Sequence, residues 1–423
     1  MFIIQNEWKG IAVDTDSIPE EFDARLKSLS ENAGKKILFC GNNKERLKKI
    51  EAMDGPQLTC DQSPFGKAIF YPKVYARLLS MLQTRSCETA VITGSRQALK
   101  QAQNHNISNL FFCGGEELPG DLIVDLPDHI AQSWEDIEKA VRGESAGYLA
   151  EYCAERYADK KDDWQALRTI RTELKTFGGN TCPLIAAGRY FSQSDPRAYG
   201  HQLSKRILLH KWEDTAQTEI FTETYRQIIG SAICEKIDAV TRIPPKDSRQ
   251  FDRFAAITRA AADDTGAEDL SEQLVCVKKY GSQRTLNRAE REANVKGAFE
   301  MKKEVKGKHI VLLDDILTSG ATAAEAADEL YLRGAEKVTV VVLAIKQNKN
   351  NFLDEKLVPI RCRKCGGEMQ LRINRTTQEA FFGCRELYNK EAPCTYIEGY
   401  KKAMERRNSD AGFANESESK FLF

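Results

Sequence analysis

The stretch HIVLLDDILTSGATAAEAADEL, His309 to Leu330, constrains the fold more than any other part of the chain. Four apolar residues run directly into two adjacent acids, Asp314 and Asp315, which precede a loop of small residues and an alanine-rich helical pattern. A strand, a loop and a helix in this order form half of a βαβ unit. Gly334 is placed to end the helix, and the apolar run Val338 to Ile345 predicts the next parallel strand. The segment therefore predicts a parallel sheet with helices on its faces.

The loop after the two acids has the chemistry of a binding site. In open parallel sheets, ligands bind at the carboxyl ends of the strands. Backbone amides at a helix N-terminus favour an anion, and a glycine lets the backbone approach it closely. The amides and hydroxyls that would hold a phosphate monoester belong to Thr318, Ser319, Gly320, Ala321 and Thr322. The two carboxylates suit the hydroxyls of a sugar or a shared Mg²⁺, so the pattern indicates a ribose 5-phosphate group. A tight turn that binds no ligand is the alternative, and an ATP-type P-loop is excluded because no Gly-Lys-Ser/Thr follows.

The whole chain has 423 residues, a length that predicts several domains. Alternating strand and helix patterns predict α/β domains over residues 1–131 and 186–350. The polar segment 132–185 is predicted to be a helical connector. A cysteine-containing ribbon is expected at 358–400 and a flexible tail at 408–423. The predicted fold class is therefore α/β, with two parallel-sheet Rossmann-like domains and a small ribbon.

Charge and hydropathy exclude some function classes. The chain has 62 basic and 62 acidic residues, which argues against a protein built mainly to coat nucleic acid, although a local basic patch stays possible. The N-terminus lacks a signal-peptide pattern, and no apolar run approaches the roughly 18 residues of a membrane helix. We therefore expect a cytoplasmic protein without a membrane partner.

The Asp-Asp loop resembles the signature of the type I phosphoribosyltransferases, and the nearest subgroup is the ComF family. LSKRILLHKWED resembles the leading helix and lysine of that family. The residues of QRTLNRAEREANVKGAF that match its pattern are Gln283, Leu286, Arg291, Asn294, Gly297, Ala298 and Phe299. The resemblance implies that the chain binds 5-phosphoribosyl-1-pyrophosphate (PRPP) with Mg²⁺ and catalyses displacement of pyrophosphate at ribose C1 by an acceptor. The sequence does not identify this acceptor, which can be a small molecule or a nucleic acid.

The segment expected near the pyrophosphate departs from the family. Arg249-Gln250-Phe251-Asp252 replaces Arg-Gly-Phe-Asn, and Ile243-Pro244-Pro245 replaces Pro-x-Pro. The sequence therefore supports contacts to the pyrophosphate less strongly than it supports binding of the 5-phosphate. The catalytic set predicted with Asp314 and Asp315 comprises cations that can stabilise the leaving group: Lys278, Lys279 and Arg249. The polar segment from Lys278 to Phe299 is predicted to be a flap that contacts substrate through Gln283, Arg291 and Asn294. The alternative for its charged residues is a solvated face.

Four clustered cysteines form a zinc pattern: Cys362, Cys365, Cys384 and Cys394. Four thiolates complete a tetrahedral Zn²⁺ site without an open position, so a structural role is predicted. The metal would supply much of the folding free energy of such a small segment. Four unpaired cysteines are the alternative.

The cysteine segment resembles the C-terminal zinc fingers of type IA topoisomerases, through Cys-x-x-Cys-Gly, the following Met and Phe-Phe-Gly-Cys. The resemblance implies contact with single-stranded DNA or RNA. Basic residues exceed acidic ones between Arg361 and Arg407, and the interleaved aromatics that suit stacking on bases are Phe381, Phe382, Tyr388 and Tyr396. A zinc-stabilised contact with another protein is the alternative.

The acids Asp14 and Asp16 in VDTDS end the first predicted strand and resemble the first motif of haloacid dehalogenase (HAD)-type phosphatases. In that family the first acid is the nucleophile and the second a general acid. The later acids that hold Mg²⁺ fall where this chain has Gly94 and Ala98. We therefore expect a HAD-like domain that is catalytically degenerate, with a Rossmann-like domain of another kind as the alternative.

Three functions remain open from the sequence. The first is a PRPP-dependent phosphoribosyltransferase that uses Mg²⁺ and carries a structural Zn²⁺. The second is a non-catalytic PRPP or nucleotide sensor or scaffold that contacts single-stranded nucleic acid through the ribbon. The third is a nucleic-acid-processing factor in which the ribbon dominates.

Overall fold

The computed structural model divides the chain into two compact units. Unit 1 comprises residues 1–147, 191–201 and 348–423, and unit 2 comprises residues 148–190 and 202–347. The residues whose structure is described are 8–32, 34–51, 57–59, 72–105, 107–115, 118, 120–144, 147–156, 168–193, 195–199, 201–211, 215–246, 252–278, 280, 288–349, 360–374, 380–389, 391–399, 402–403 and 406. The expected tail at 408–423 lies outside them. Within these residues, no helix is both long and apolar enough to cross a membrane.

The described residues between 8 and 142 of unit 1 form a parallel sheet with helices. Its strands are β1 (Gly10–Asp14), β2 (Lys36–Gly41), β3 (Gln57–Thr59), β4 (Thr89–Thr93), β5 (Ser108–Phe112) and β6 (His129–Ala131), in the order β3-β2-β1-β4-β5-β6. Its helices are α1 (Asp23–Asn32), α2 (Lys44–Glu51), α3 (Pro72–Leu82), α4 (Arg96–Asn104) and α5 (Trp134–Arg142). Ile11 and Val13 of β1 pack in one core cluster, whereas Ala12 packs in another. Both faces of this sheet are therefore buried, as expected for parallel strands.

Unit 2 is built on a second, larger sheet. Its helices are α6 (Leu149–Arg156), α7 (Gln202–Lys211), α8 (Ala216–Ala232), α9 (Ala255–Thr265), α10 (Arg288–Val295) and α11 (Ala321–Leu332). Its strands are β7 (Ile170–Lys175), β8 (Thr181–Ala186), β9 (Arg189–Tyr190), β10 (Ala239–Arg242), β11 (Glu268–Asp269), β12 (Leu274–Cys276), β13 (Phe299–Met301), β14 (His309–Leu317) and β15 (Lys337–Lys346). The order is β11-β10-β14-β15-β8-β7, with β9 also on β15. All pairs in this sheet are parallel except β7 with β8, and β12 and β13 form a separate antiparallel pair.

Segment 132–185 differs from the helical connector expected from the sequence. It begins with α5 in unit 1, and after residue 147 it contributes α6 and the strands β7 and β8 to unit 2. The polar composition favoured a helix, but β7 is an edge strand whose side chains alternate between exposed and partly buried. An edge strand keeps polar residues on its solvent side, so composition alone did not identify it.

The cysteine segment forms a small antiparallel sheet. Its strands are β16 (Met369–Ile373), β17 (Ala380–Cys384) and β18 (Ile397–Gly399), with β17 in the centre. Met369 and Phe382 are fully buried in a core that also contains three of the four cysteines. The predicted α/β class with two mainly parallel sheets, and the presence of a four-cysteine cluster, are therefore confirmed.

Candidate functional site

The acid pair lies in the centre of the larger sheet. Strand β14 runs between β10 and β15, and it continues through Asp314 and Asp315 to Leu317. The strand thus begins one residue before the predicted apolar run, Ile310 to Leu313, and extends four residues beyond it. Asp315 is 5% exposed and Asp314 is partly buried. Two adjacent carboxylates therefore lie close to the carboxyl end of a central strand, where ligands bind in sheets of this kind.

The small-residue loop turns the chain sharply from β14 into α11. Gly320 precedes the helix with φ of 79°, a left-handed conformation that favours glycine. A Cβ atom at this position would lie 2.7 Å from Leu174 Cδ1 of β7, so the Leu174 side chain would have to move to accommodate it. Thr318 and Ser319 are exposed, and Ala321 and Thr322 form the first turn of α11. The geometry places the loop amides at a helix N-terminus, where an anion is favoured.

The two acids of the pair differ electrostatically. Burial and the neighbouring carboxylate of Asp315 raise the pKa of Asp314 to about 7. Burial also acts to raise the pKa of Asp315, but Lys211 and Arg253 outweigh it and hold that pKa below its ordinary value. Lys211 Nζ lies 3.3 Å from Asp315 Oδ1, and Arg253 Nη2 donates to Asp315 Oδ2 at 2.5 Å. Near neutral pH, the pair therefore carries its negative charge mainly on Asp315.

Aromatic hydroxyls line the same region. The hydroxyl of Tyr225, from α8, donates to the carbonyl oxygen of Asp314 at 2.5 Å. Burial, followed by the two acids, raises the pKa of Tyr225 well above its ordinary value, so this hydroxyl stays a donor. Burial raises the pKa of Tyr280 as well, and Cys276 and Asp314 add to that shift. Lys246 Nζ lies 4.1 Å from the centroid of the Tyr280 ring.

Asp252, in the segment before α9, forms an ion pair with Arg242. Asp252, which replaces the family's Asn, accepts hydrogen bonds from Arg242 Nε at 2.8 Å and Arg242 Nη2 at 2.5 Å. Arg242 is 7% exposed at the end of β10, so the acid neutralises a buried cation. Asp252 also caps the next turn by accepting from the amide of Phe254 at 3.0 Å. Asp252 therefore anchors the backbone between β10 and α9.

Of the remaining predicted site residues, some have a described position and others do not. Lys278 is exposed, and its Nζ donates to the carbonyl oxygen of Lys296 at 2.9 Å. Asn294 is partly buried in α10, and only the backbone of Arg291 is described there. Arg249, Lys279 and Gln283 lie outside the described residues.

Sequence reasoning did not single out Arg253 or Tyr225, and it noted Lys211 only as the lysine of the leading helix. Lys211 lies in α7, Tyr225 in α8 and Arg253 just before α9, all far from β14 in the chain. Local spacing gave no sign that they would meet at the acid pair.

The four cysteines form a compact donor set. Cys362, Cys365, Cys384 and Cys394 have sulfur atoms that all lie within 4.8 Å of one another. This arrangement fits one tetrahedral Zn²⁺ with four thiolate ligands. The amides of Lys364 and Gly367 lie 3.4 Å from the sulfurs of Cys362 and Cys365, and such contacts stabilise thiolates.

The ribbon aromatics are not equally available to a nucleic acid. Phe382 is completely buried, so it supports the ribbon core instead of stacking on bases. Tyr396 is partly buried and packs against the same core, and Phe381 is partly buried. Tyr388 is 76% exposed, and the guanidinium of Arg372 lies 5.3 Å from its ring centroid.

The acids of the N-terminal sheet are both engaged. Asp14 is 2% exposed, and its Oδ2 accepts hydrogen bonds from Ser17 Oγ and Thr93 Oγ1, each at 2.7 Å. Burial raises its pKa, which the two hydroxyl contacts counteract in part. The carboxylate of Asp16 accepts from the backbone amide of Asn42 at 2.8 Å and from its side chain at 2.6 Å. The two acids therefore have separate structural partners.

Comparison with known proteins identifies one family match. Residues 252–377 match the phosphoribosyl transferase domain family. The DNA utilization protein YhgH of Salmonella typhimurium is 27% identical over 145 residues, which cover 32% of this chain and 64% of that protein. YhgH of Escherichia coli K12 is 37% identical over 70 residues, which cover 16% of this chain and 31% of that protein. The match therefore spans less than two thirds of these relatives.

Adenine phosphoribosyltransferase from Saccharomyces cerevisiae is a similar solved structure, with 16% identity and a TM-score of 0.22 over 32% of this chain and 70% of that one. The family match therefore supports a phosphoribosyl transferase domain within residues 252–377 of this chain.

Proposed function

We propose that unit 2 binds PRPP with Mg²⁺ and transfers its phosphoribosyl group to an acceptor, releasing pyrophosphate. The observation that carries the proposal is the position of Asp314 and Asp315 near the end of a central strand, directly before the Gly320 turn into α11. The family match over residues 252–377 supports the same chemistry.

The proposed ligand fits the two halves of the site. The 5-phosphate would accept hydrogen bonds from amides and hydroxyls of Thr318, Ser319, Gly320, Ala321 and Thr322. The acid pair would face the ribose hydroxyls, and Asp314 is the residue that can hold Mg²⁺ or a hydroxyl. When bound, Mg²⁺ would offset negative charge on the departing pyrophosphate.

The proposed reaction exchanges one bond at ribose C1 for another. The bond from C1 to the pyrophosphate oxygen breaks, a bond from an acceptor nitrogen to C1 forms, and the acceptor loses a proton. Positive charge develops on the sugar, and the acid pair can stabilise it. We assign stabilisation of the leaving group to Arg249, Lys278 and Lys279. In this arrangement, Lys278 must give up its hydrogen bond to Lys296.

We also assign Gln283, Arg291 and Asn294 to the substrate flap. Of these, Asn294 lies in α10, which precedes the antiparallel partner strand β13. Closure of this segment would exclude water from C1.

The test is pyrophosphate release from Mg-PRPP by the wild-type chain and by Asp314→Ala/Asp315→Ala. Assays run with pooled nucleobases, nucleotides or single-stranded DNA identify the acceptor class. We expect release that the double variant loses. Absence of release under every condition, with PRPP still bound, would contradict transfer and favour a sensor.

A second function is a non-catalytic PRPP or nucleotide sensor that contacts single-stranded nucleic acid through its ribbon. The observation that favours it is Tyr388, an exposed aromatic beside Arg372. The relatives named DNA utilization protein are in accord with a nucleic-acid role. We expect Tyr388→Ala to weaken binding of single-stranded oligonucleotides by roughly tenfold, because one base stack is worth about 1–3 kcal/mol. Tyr388→Phe is the matched control, and salt-insensitive binding would contradict the contact.

For the N-terminal domain, residues 1–131, we propose a HAD-like fold without phosphatase activity. Asp14 and Asp16 are held by neutral donors, and Gly94 and Ala98 stand where that family has acids for Mg²⁺. Phosphatase activity that disappears in Asp14→Asn would overturn this assignment.

A further inference from the structure

The four cysteines of the ribbon differ in their access to solvent. Cys362, Cys384 and Cys394 are at most 3% exposed, whereas Cys365 is exposed. The sulfur of Cys365 lies 3.4 Å from the sulfur of Cys384. The other two sulfurs are 3.7 Å apart. A reagent in solution can therefore reach one sulfur directly, and a buried sulfur is its immediate neighbour.

Gly367 leaves the same two sulfurs without a covering side chain. A Cβ atom at this position would lie 3.3 Å from Cys365 Sγ and 3.6 Å from Cys384 Sγ. A side chain at position 367 would thus pack on both sulfurs, and glycine provides none. Gly367 is itself partly exposed, so the opening faces solvent beside Cys365.

We propose that Cys365 and Cys384 form an oxidation site, at which a hydroperoxide converts the two thiolates into a disulfide and the ribbon loses its Zn²⁺. This site is separate from the acid pair and does not depend on either function proposed for unit 2. It requires only that the four thiolates hold Zn²⁺, which their geometry fits. An exposed thiolate next to a second, resolving thiolate is the arrangement that makes such oxidation selective and reversible.

The oxidation takes two steps. The Cys365 thiolate attacks one oxygen of the peroxide, so that an S–O bond forms, the O–O bond breaks and hydroxide leaves. The Cys384 thiolate then attacks the Cys365 sulfur, so that an S–S bond forms, the S–O bond breaks and a second hydroxide leaves. Together the two sulfurs lose two electrons, which reduce the peroxide. The sulfurs must approach each other by about 1.4 Å, from 3.4 Å to the length of a disulfide bond.

The disulfide has a structural consequence for the ribbon. It removes two of the four thiolates, and the remaining two cannot complete a closed tetrahedral site. Cys384 belongs to the same buried core as Met369 and Phe382, and the metal supplies much of the folding free energy of so small a core. Oxidation therefore opens the ribbon, and a reducing thiol together with Zn²⁺ closes it again.

The test treats the zinc-loaded, full-length wild-type chain with hydrogen peroxide. A chromogenic chelator measures zinc release, and peptide mass mapping at half-release identifies the first disulfide. We expect zinc release together with a disulfide between Cys365 and Cys384, and we expect dithiothreitol with added Zn²⁺ to reverse both. A first disulfide between Cys362 and Cys394, or zinc release without any disulfide, would overturn the proposal.

Two histidine variants form a matched pair, because histidine can replace cysteine as a zinc ligand but cannot form a disulfide. Cys365→His should lose the zinc release that peroxide causes. Cys394→His retains the Cys365–Cys384 pair and should release zinc as readily as the wild type. Equal release from the two variants would overturn the proposal. If a histidine variant fails to bind zinc, the disulfide mapped in the wild type still decides between the outcomes.

The opening at Gly367 is tested by a pair of glycine variants. Gly367→Ala should slow zinc release severalfold, because its Cβ would cover both sulfurs once the nearby Glu386 side chain has moved aside. Gly399→Ala, in β18 of the same ribbon, has open space at its Cβ and should release zinc at the wild-type rate. Equal rates in the two variants would contradict the role of the opening. A wild type purified without zinc would contradict the zinc site itself, and the proposal with it.

Discussion

Replacing Asp314 by asparagine should stabilise unit 2 at alkaline pH. The pKa of Asp314 is about 7 in the folded chain against an ordinary value of 3.8, because of burial and the adjacent Asp315. Between these two pH values the folded state binds a proton that the unfolded state has released. The free energy of unfolding of the wild type therefore falls as pH rises through this window. Asparagine does not titrate, so the free energy of unfolding of the variant does not fall with pH for this reason.

The expected gain in the free energy of unfolding follows from the size of the Asp314 pKa shift. A displacement from 3.8 to about 7 corresponds to about 4 kcal/mol once the pH exceeds both values. Asp314 is only partly buried, so water screens part of this cost, and we expect a gain of about 2 kcal/mol at pH 8. At pH 4 the gain should be close to zero. The amide oxygen of asparagine can still accept from the Asp315 amide, so the local hydrogen bond survives.

Scanning calorimetry is the suitable assay because two units need not unfold in a single transition. The variant and the wild type are compared at pH 4, 6 and 8. Asp263→Asn is the control, since Asp263 is exposed on α9 of the same unit. Asp315→Asn should have the opposite sign at pH 8, because Lys211 and Arg253 lose an ionised partner. A gain for Asp314→Asn that is equal at pH 4 and pH 8, or a loss at pH 8, would refute the reasoning.

Two further predictions concern the loop and the ribbon. Gly320→Ala should lower the free energy of unfolding by about 2–4 kcal/mol, because its φ is 79° and a Cβ would lie 2.7 Å from Leu174. Gly307→Ala, with φ of 71° and open space around it, should cost only about 1 kcal/mol in chemical denaturation, and equal costs would contradict the packing argument. Cys384→Ser should lose the bound zinc and make residues 360–399 sensitive to protease, as measured by metal content and limited proteolysis. The exposed Cys234→Ser is its control, and full zinc content in Cys384→Ser would contradict the site.

The sequence predicted best what is encoded locally. The strand, acids, glycine turn and helix from His309 to Leu332 are contiguous, so spacing alone placed them. The cysteine cluster could also be predicted from local sequence, because four cysteines at such spacings in a small segment are typical of a zinc site.

The partners of Asp315 could not be predicted in the same way. They come from α7 and from the segment before α9, and only the tertiary structure brings them to β14. Composition also led to a wrong prediction for β7: its exposed polar residues suggested a solvated helix, but the segment is an edge strand. Phe382 was expected to face a ligand, but the pleat of β17 turns it into the ribbon core.

The order of strands in the larger sheet has a consequence for biosynthesis. Strand β8 is made early, yet its parallel partner is β15, so Ile185 pairs with Val341 only after most of the chain has been translated. The strands β1 to β6, in contrast, are complete by residue 131. During elongation, we therefore expect the N-terminal sheet to form first. Strands β7 and β8 can pair with each other at that stage, but β8 still lacks its partner β15. Because β8 and β15 are far apart in the sequence, we expect closure of the larger sheet to be the slow step of refolding.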